Sequence, residues 1–65
     1  MEPEPFVINA STIGPTENVS GNSVKRAIAE LRESGEIEVQ TTPTGRVRLN
    51  VPGYKRVREF IRNKR

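Results

Sequence analysis

Residues 20–35 constrain the fold most, because they have the pattern of an amphipathic helix with its own start and stop signals. The hydroxyl of Ser20 can accept a hydrogen bond from a backbone N–H of the first turn, and Gly35 can adopt the left-handed conformation that ends many helices. Apolar residues recur between them at helical spacing, at Val24, Ala27, Ile28 and Leu31. One face of this helix must therefore be buried against another part of the chain.

The opposite face of the same helix is polar. At about 100° per residue, the side chains that point away from the apolar stripe are those of Asn22, Arg26, Ala29 and Glu33. Lys25 lies to one side of them. This face is predicted to be a recognition surface that the rest of the chain holds in place. The alternative is an ordinary solvated helix face.

Length and composition exclude several kinds of chemistry. A chain of 65 residues forms one small domain that buries roughly 60% of its unfolded surface, so an enclosed active site is not expected. With no Cys and no His, the sequence lacks disulfide bonds and the usual zinc ligands. Since its carboxylates are scattered, we expect no enzymatic activity, no metal and no cofactor. The longest apolar run, residues 6–8, is far shorter than a membrane span or a signal-peptide core, which predicts a cytoplasmic protein.

The formal net charge of +3 is distributed unevenly along the chain. Residues 1–19 carry −3, residues 20–53 carry +1 and residues 54–65 carry +5. This polarity predicts a polyanionic partner, and the phosphate backbones of nucleic acids are the commonest polyanions. A basic surface that serves only solubility is the alternative.

The first part of the chain contains weaker signals. Residues 1–5, with two prolines and two acids, are predicted to be a disordered lead-in. Residues 6–8 are apolar and β-prone, which indicates an edge strand added to the hairpin described next, or a hydrophobic clasp without strand pairing. Because a proline at position 15 interrupts the helix signals, we expect either a short turn at residues 10–14 or a short helix that begins near Pro15.

Residues 36–51 predict a β-hairpin with one buried face. The inward positions alternate with polar ones and are Ile37, Val39, Thr41, Val47, Leu49 and Val51. A turn over residues 42–45 joins the strands, since Pro43 presets φ and Gly45 suits the left-handed position. This register places Val39 opposite Leu49, and Gln40 opposite Arg48.

The polar face of this hairpin is basic at its tip. Arg46 and Arg48 lie near the tip, whereas Glu36 and Glu38 lie at the base. Such a tip suits contacts with a phosphate backbone, which add salt-dependent affinity without sequence information. For Arg48 the alternative is a diagonal pair with Glu38 across the strands.

After Pro52-Gly53, which is predicted to end the second strand, residues 54–65 return to helical spacing. The apolar stripe consists of Tyr54, Val57, Phe60 and Ile61, and most other positions are basic. We predict that this helix covers the core, within the monomer or across a dimer, and that its bases also contact DNA or steer it electrostatically. Its apolar face is too small for a helix that lies on a membrane, so no membrane partner is expected.

Residues 13–37 resemble the helix-turn-helix core of winged-helix DNA-binding domains. Gly14 occupies the position of the small residue in the first helix, and Asn18 that of the turn residue with positive φ. Val19 follows as the apolar residue between the helices, and Ser20 opens the second helix.

Two residues depart from the pattern of this family. Pro15 lies inside the first helix, and Glu17 takes a position that is normally a large apolar residue. The first helix is therefore expected to be short, tilted or distorted. The resemblance implies an α+β winged helix-turn-helix domain over residues 6–65. Its parts are a helix-turn-helix at 10–34, a wing hairpin at 36–51 and a basic amphipathic helix at 54–65.

The resemblance implies sequence-specific binding of double-stranded DNA, by a transcriptional regulator or a plasmid or virus accessory factor. Residues 21–34 are expected in the major groove, and the tip at 42–46 on the backbone or in the minor groove. The candidate DNA-binding residues are Ser20, Asn22, Ser23, Lys25, Arg26, Thr44, Arg46, Arg48, Lys55 and Arg56. The alternatives are an RNA-binding component of a ribonucleoprotein and a winged-helix protein-interaction module; a homodimer is an alternative to a monomer.

Overall fold

The computed structural model describes residues 5–64. Over that range the chain is α+β, with three α-helices and a three-stranded antiparallel sheet. The elements in order are β1 (Ile8–Asn9), a 3₁₀ turn (Ala10–Thr12), α1 (Ile13–Glu17), α2 (Gly21–Glu33), β2 (Gln40–Thr41), β3 (Val47–Leu49) and α3 (Val51–Asn63). The predicted disordered lead-in lies, apart from Pro5, outside the described residues.

Helix α2 begins and ends as predicted. The hydroxyl of Ser20 accepts a hydrogen bond from the backbone N–H of Ser23 at 3.3 Å. At the other end Gly35 has a φ of +79°, and the N–H of Glu36 donates to the carbonyl of Leu31 at 3.0 Å. The left-handed glycine and this hydrogen bond give carbonyl groups of the last turn the partners that the helix itself lacks. The four residues of the apolar stripe are all buried.

Helix α1 begins before Pro15 and continues directly from the 3₁₀ turn, so the structure combines the two alternatives predicted for this stretch. Pro15 is the third residue of the helix, where its missing N–H has no intrahelical partner to lose. A Cβ on Gly14 would lie 3.2 Å from the carbonyl oxygen of Val19, so glycine allows the close approach of α1 to the next turn. Asn18 has the predicted positive φ, 56°.

The sheet has the strand order β1-β3-β2. Its third strand is confirmed but lies at Ile8–Asn9 rather than at residues 6–8, and Val7 is exposed. Ile8 pairs with Leu49, which is fully buried. The side chain of Asn9 then accepts a hydrogen bond from the N–H of Ser11, which begins the 3₁₀ turn. The strand therefore ends where this cap starts.

The hairpin is shorter than the predicted range of 36–51. Gln40 lies opposite Arg48 as predicted, but β2 begins at Gln40, so the ladder does not include the predicted pair of Val39 and Leu49. Thr41 is exposed rather than inward-facing. The predicted turn is present, with a hydrogen bond of 2.8 Å from the N–H of Gly45 to the carbonyl of Thr42 and a φ of +86° at the glycine.

Helix α3 begins at Val51, three residues earlier than predicted, because the side chain of Asn50 caps it. Asn50 Oδ1 accepts a hydrogen bond from the N–H of Gly53 at 2.9 Å. Pro52 is tolerated in the first turn, so it does not separate strand from helix. Val51 is consequently a helix residue, 47% exposed, and not the last inward residue of a strand.

The core lies between the sheet and the helices, and α3 covers it within the monomer. Val57 and Ile61 of α3 are buried in this core, and Tyr54 and Phe60 pack against it. The buried apolar residues are Ala10, Ile13, Val24, Ala27, Ile28, Leu31, Ile37, Leu49, Val57 and Ile61. The predicted covering role of the C-terminal helix is thus confirmed.

Candidate functional site

The first two turns of α2 present an exposed polar face. Asn22, Ser23, Lys25 and Arg26 are all exposed there. Ser20 precedes them as the cap, and its hydroxyl lies 3.2 Å from that of Ser23. An amide, two hydroxyls and two cations therefore lie along one short stretch of helix.

The hairpin tip lies beside this part of α2. A groove of about 420 Å³ separates them, and its lining includes Lys25 from the helix and Arg46 from the hairpin. Asn9 and Ser11 border the same groove. Thr44 and Arg48 are exposed on the hairpin. The structure thus brings Lys25 and Arg46 to neighbouring positions, whereas Ser23 and Arg26 line a second groove, between α2 and α3.

The bases of α3 are mostly engaged in ion pairs. Arg56 lies 2.9 Å from Glu36, and Lys64, just after the helix, lies 3.7 Å from Glu30. Arg58 and Arg62 both bind Glu17, at 2.8 and 2.9 Å. Much of the positive charge of residues 54–64 is therefore matched by acids of the same molecule.

The bases of α2 and the hairpin differ from those of α3. Within residues 5–64, no ion pair includes Lys25, Arg26, Arg32, Arg46 or Arg48. The alternative for Arg48, a diagonal pair with Glu38, is therefore not formed in the described part of the chain. The positive charge that remains available to an external anion is concentrated on α2 and the hairpin.

Two of the predicted site residues are not brought to this surface. The guanidinium of Arg56 donates two hydrogen bonds to Glu36, at 2.9 and 3.2 Å, just beyond the C-terminal end of α2. A helix of 13 residues is roughly 20 Å long, so Arg56 lies far from the first turn of α2. Lys55 is exposed on α3, on the side away from the buried Val57.

Glu17, which is not among the predicted site residues, has a structural role near the site. Its side chain is 3% exposed and accepts hydrogen bonds from Arg58 Nε at 2.8 Å and from Arg62 Nε at 2.9 Å. The hydrogen bonds from Arg62 and Arg58 hold the pKa of Glu17 below its ordinary value, although burial opposes them. The available signal was the acid at a position where the resemblance requires an apolar residue.

We expect acid to destabilise the fold through Glu17. Because its folded-state pKa lies below the ordinary 4.5, its contribution to stability is present above that value and lost as pH falls through the folded-state pKa. Thermal melts of the wild type should therefore show a constant Tm near neutral pH and a falling Tm in acid. Glu17→Gln should lower the Tm at neutral pH and flatten the acid limb.

The matched control for this prediction is Glu36→Gln. Hydrogen bonds from Ser34 and Arg56 lower the pKa of Glu36 as well, but this carboxylate is 46% exposed. Solvent screening weakens such a pair, so the control should change the acid limb less. A Tm of Glu17→Gln equal to that of the wild type at neutral pH, or an acid limb as steep as that of the wild type, would contradict the assignment.

Within residues 5–64, no cluster of three acidic side chains is placed to hold a metal ion. No helix in that range has the length and apolar character needed to cross a bilayer. Comparisons with protein-family models, with curated proteins and with solved structures find no match to this chain.

Proposed function

We propose that the protein binds double-stranded DNA as a small winged helix, with α2 in the major groove and the hairpin as the wing. The observation that carries this proposal is the division of the bases: within residues 5–64, those of α3 are largely paired with acids, whereas those of α2 and the hairpin tip are not. A concentrated, uncompensated positive surface suits a phosphate backbone. Within this surface, Lys25 and Arg46 lie on the two sides of one groove.

The proposed roles follow from side-chain chemistry. The major groove admits an α-helix, in which the amide of Asn22 suits adenine and the guanidinium of Arg26 suits guanine. The hydroxyls of Ser20 and Ser23 at the start of α2 suit a phosphate. Lys25 and the wing residues Thr44, Arg46 and Arg48 hold the backbone or enter the minor groove. The proposed role in the cell is that of a transcriptional regulator or a plasmid or virus accessory factor.

Base stacking on aromatic side chains, a common means of binding single-stranded RNA, is not favoured by the structure. Phe6, Tyr54 and Phe60 are each partly buried, and the last two pack against the core. RNA binding is therefore an outcome of the test below rather than a second proposal.

A salt titration of binding tests the proposed function. Fluorescence anisotropy would compare a random-sequence DNA duplex with a double-stranded RNA of equal length, between about 50 and about 200 mM salt. We expect micromolar DNA affinity that falls steeply with salt, and weaker RNA binding. Tighter RNA binding would move the function to a ribonucleoprotein, and no binding to either would move it to a protein partner.

Arg26→Ala should separate sequence recognition from backbone binding. After a preferred duplex has been selected from a random pool, this substitution should weaken binding to it by roughly 1–3 kcal/mol and change binding to random duplex little. Arg46→Ala is the comparison, and should weaken both complexes alike, because a phosphate contact carries no sequence information. An equal loss on both duplexes for Arg26→Ala would exclude its role in base recognition.

A further inference from the structure

Glu17 joins the end of the shortest helix to α3. The carboxylate is held on both oxygens, with Arg58 Nε donating to Oε2 at 2.8 Å and Arg62 Nε to Oε1 at 2.9 Å. Arg62 Nη2 adds a third hydrogen bond at 3.1 Å. Arg58 is itself oriented by the ring of Tyr54, whose centroid lies 5.5 Å from the guanidinium carbon. The last residue of α1 is therefore fixed in direction as well as in position.

Helix α1 needs such a contact because it is only five residues long. A helix of this length has little stability of its own, so tertiary contacts determine its orientation. Its first residue, Ile13, is fully buried and provides one such contact. Glu17 provides another at the opposite end, directly before the left-handed Asn18 and three residues before the cap of α2 at Ser20.

An ion pair and an apolar contact act differently at this position. A large apolar side chain would fill the same volume, but hydrophobic contacts are not directional. Hydrogen bonds from a guanidinium to a carboxylate fix the relative orientation of their two helices. Buried ion pairs often contribute little net stability compared with an apolar replacement. What Glu17 provides beyond an apolar residue is therefore a fixed orientation of α1 relative to α3.

We propose that Glu17 is a positioning residue for the recognition helix. By fixing the end of α1 on α3, its carboxylate sets the direction in which the turn at residues 18–20 presents the first turn of α2, with Asn22 and Ser23. The expected effect of Glu17 on DNA binding rests on the proposed function. Its expected effect on the geometry of the free protein does not depend on that function.

The decisive variant is Glu17→Leu. It places an apolar side chain of similar size at this position and removes the hydrogen bonds that the carboxylate accepts. Arg58 and Arg62 are 30% and 58% exposed, so both guanidinium groups can turn to water when the carboxylate is absent. We therefore expect this variant to fold. Arg62→Gln, which removes one of the two guanidinium partners, is the second variant, to be used if Glu17→Leu does not fold.

The measurement is the set of backbone amide residual dipolar couplings and hydrogen-exchange rates in the free, full-length protein. In Glu17→Leu we expect changed couplings and about tenfold faster exchange over residues 14–23, as for a locally loosened segment. The couplings of Leu31 and Val57 should stay as in the wild type. Glu36→Gln breaks an ion pair at the other end of α2 and should leave residues 14–23 unchanged. Wild-type couplings over residues 14–23 in a folded Glu17→Leu, or in Arg62→Gln if that variant is needed, overturn the proposal.

Duplex binding extends the test to function. If the proposed function holds, Glu17→Leu should lower the ratio of affinities for the selected and random duplexes about tenfold, the value of one weakened base contact. The slope against salt should not decrease in magnitude, because no phosphate-binding charge is removed, and any affinity added by the released Arg58 and Arg62 acts on both duplexes alike. If the wild type binds neither duplex, the proposed function fails, while the couplings of the free protein still decide the role of Glu17.

Discussion

Replacing Lys25, Arg46 and Arg48 together by glutamine is expected to weaken binding to a random DNA duplex several hundredfold. If each base neutralises one phosphate, the association constant varies with salt to a power of about −0.9 per contact, so each contact is worth roughly eightfold at about 0.1 M salt. The slope of log K against log salt should decrease in magnitude by roughly 2.7. Anisotropy titrations of the triple variant and the wild type over a range of salt concentrations measure both quantities.

The control for this prediction compares two single lysine substitutions of equal charge. Lys25→Gln removes a cation beside the groove shared with the hairpin tip, whereas Lys55→Gln removes one from the exposed side of α3. We expect roughly eightfold weaker binding for the first and less than about twofold for the second. Equal effects would mean that net charge, rather than this surface, determines binding, and would contradict the proposed arrangement.

The elements that were predictable from the sequence are those whose signals act locally. Ser20 and Gly35 bound α2 through hydrogen bonds and backbone conformations within a few residues of the helix. The same holds for the left-handed Asn18 and for the turn that ends at Gly45. Local chemistry decides such features, so tertiary packing did not alter them.

The boundary between β3 and α3 was predicted wrongly although its signal is present. Asn50 is a preferred capping residue, and a proline two residues later is compatible with a first helical turn. The sequence pattern predicts a strand breaker at Pro52-Gly53, whereas the N–H of Gly53 is the group that Asn50 caps. The short pairing of β2, in contrast, depends on its neighbours in the sheet and has no comparable local signal.

The role of the basic C-terminal residues could not be predicted from the sequence. Arg58 and Arg62 are 41 and 45 residues from Glu17 along the chain, and no periodicity links positions so far apart. The run of bases predicts DNA contacts, and the structure adds intramolecular ion pairs for Arg56, Arg58 and Arg62 that the sequence pattern does not reveal. Arg56 illustrates the same point, since its partner, Glu36, belongs to the segment after α2.

Val57→Ala is expected to destabilise the fold strongly, because α3 is the cover of the core. Val57 is fully buried, and its truncation removes two methyl groups and leaves a cavity, at a cost of about 2–4 kcal/mol. A domain of 65 residues has a free energy of unfolding of roughly 3–10 kcal/mol, so the loss is a large fraction of the total. We expect the Tm to fall by at least about 10 °C, measured by circular dichroism.

Val51→Ala is the matched control, since it makes the same substitution in the same helix at a residue that is 47% exposed. Its effect should be within about 0.5 kcal/mol. Equal destabilisation by both substitutions would contradict the packing of α3 on the core.

Protein concentration distinguishes a cover formed within the monomer from one formed across a dimer. The Tm of Val57→Ala should be independent of protein concentration if α3 covers the core of its own chain, as in the structure. If α3 instead covered a partner's core in a dimer, dilution would lower the Tm, because folding would then be coupled to association.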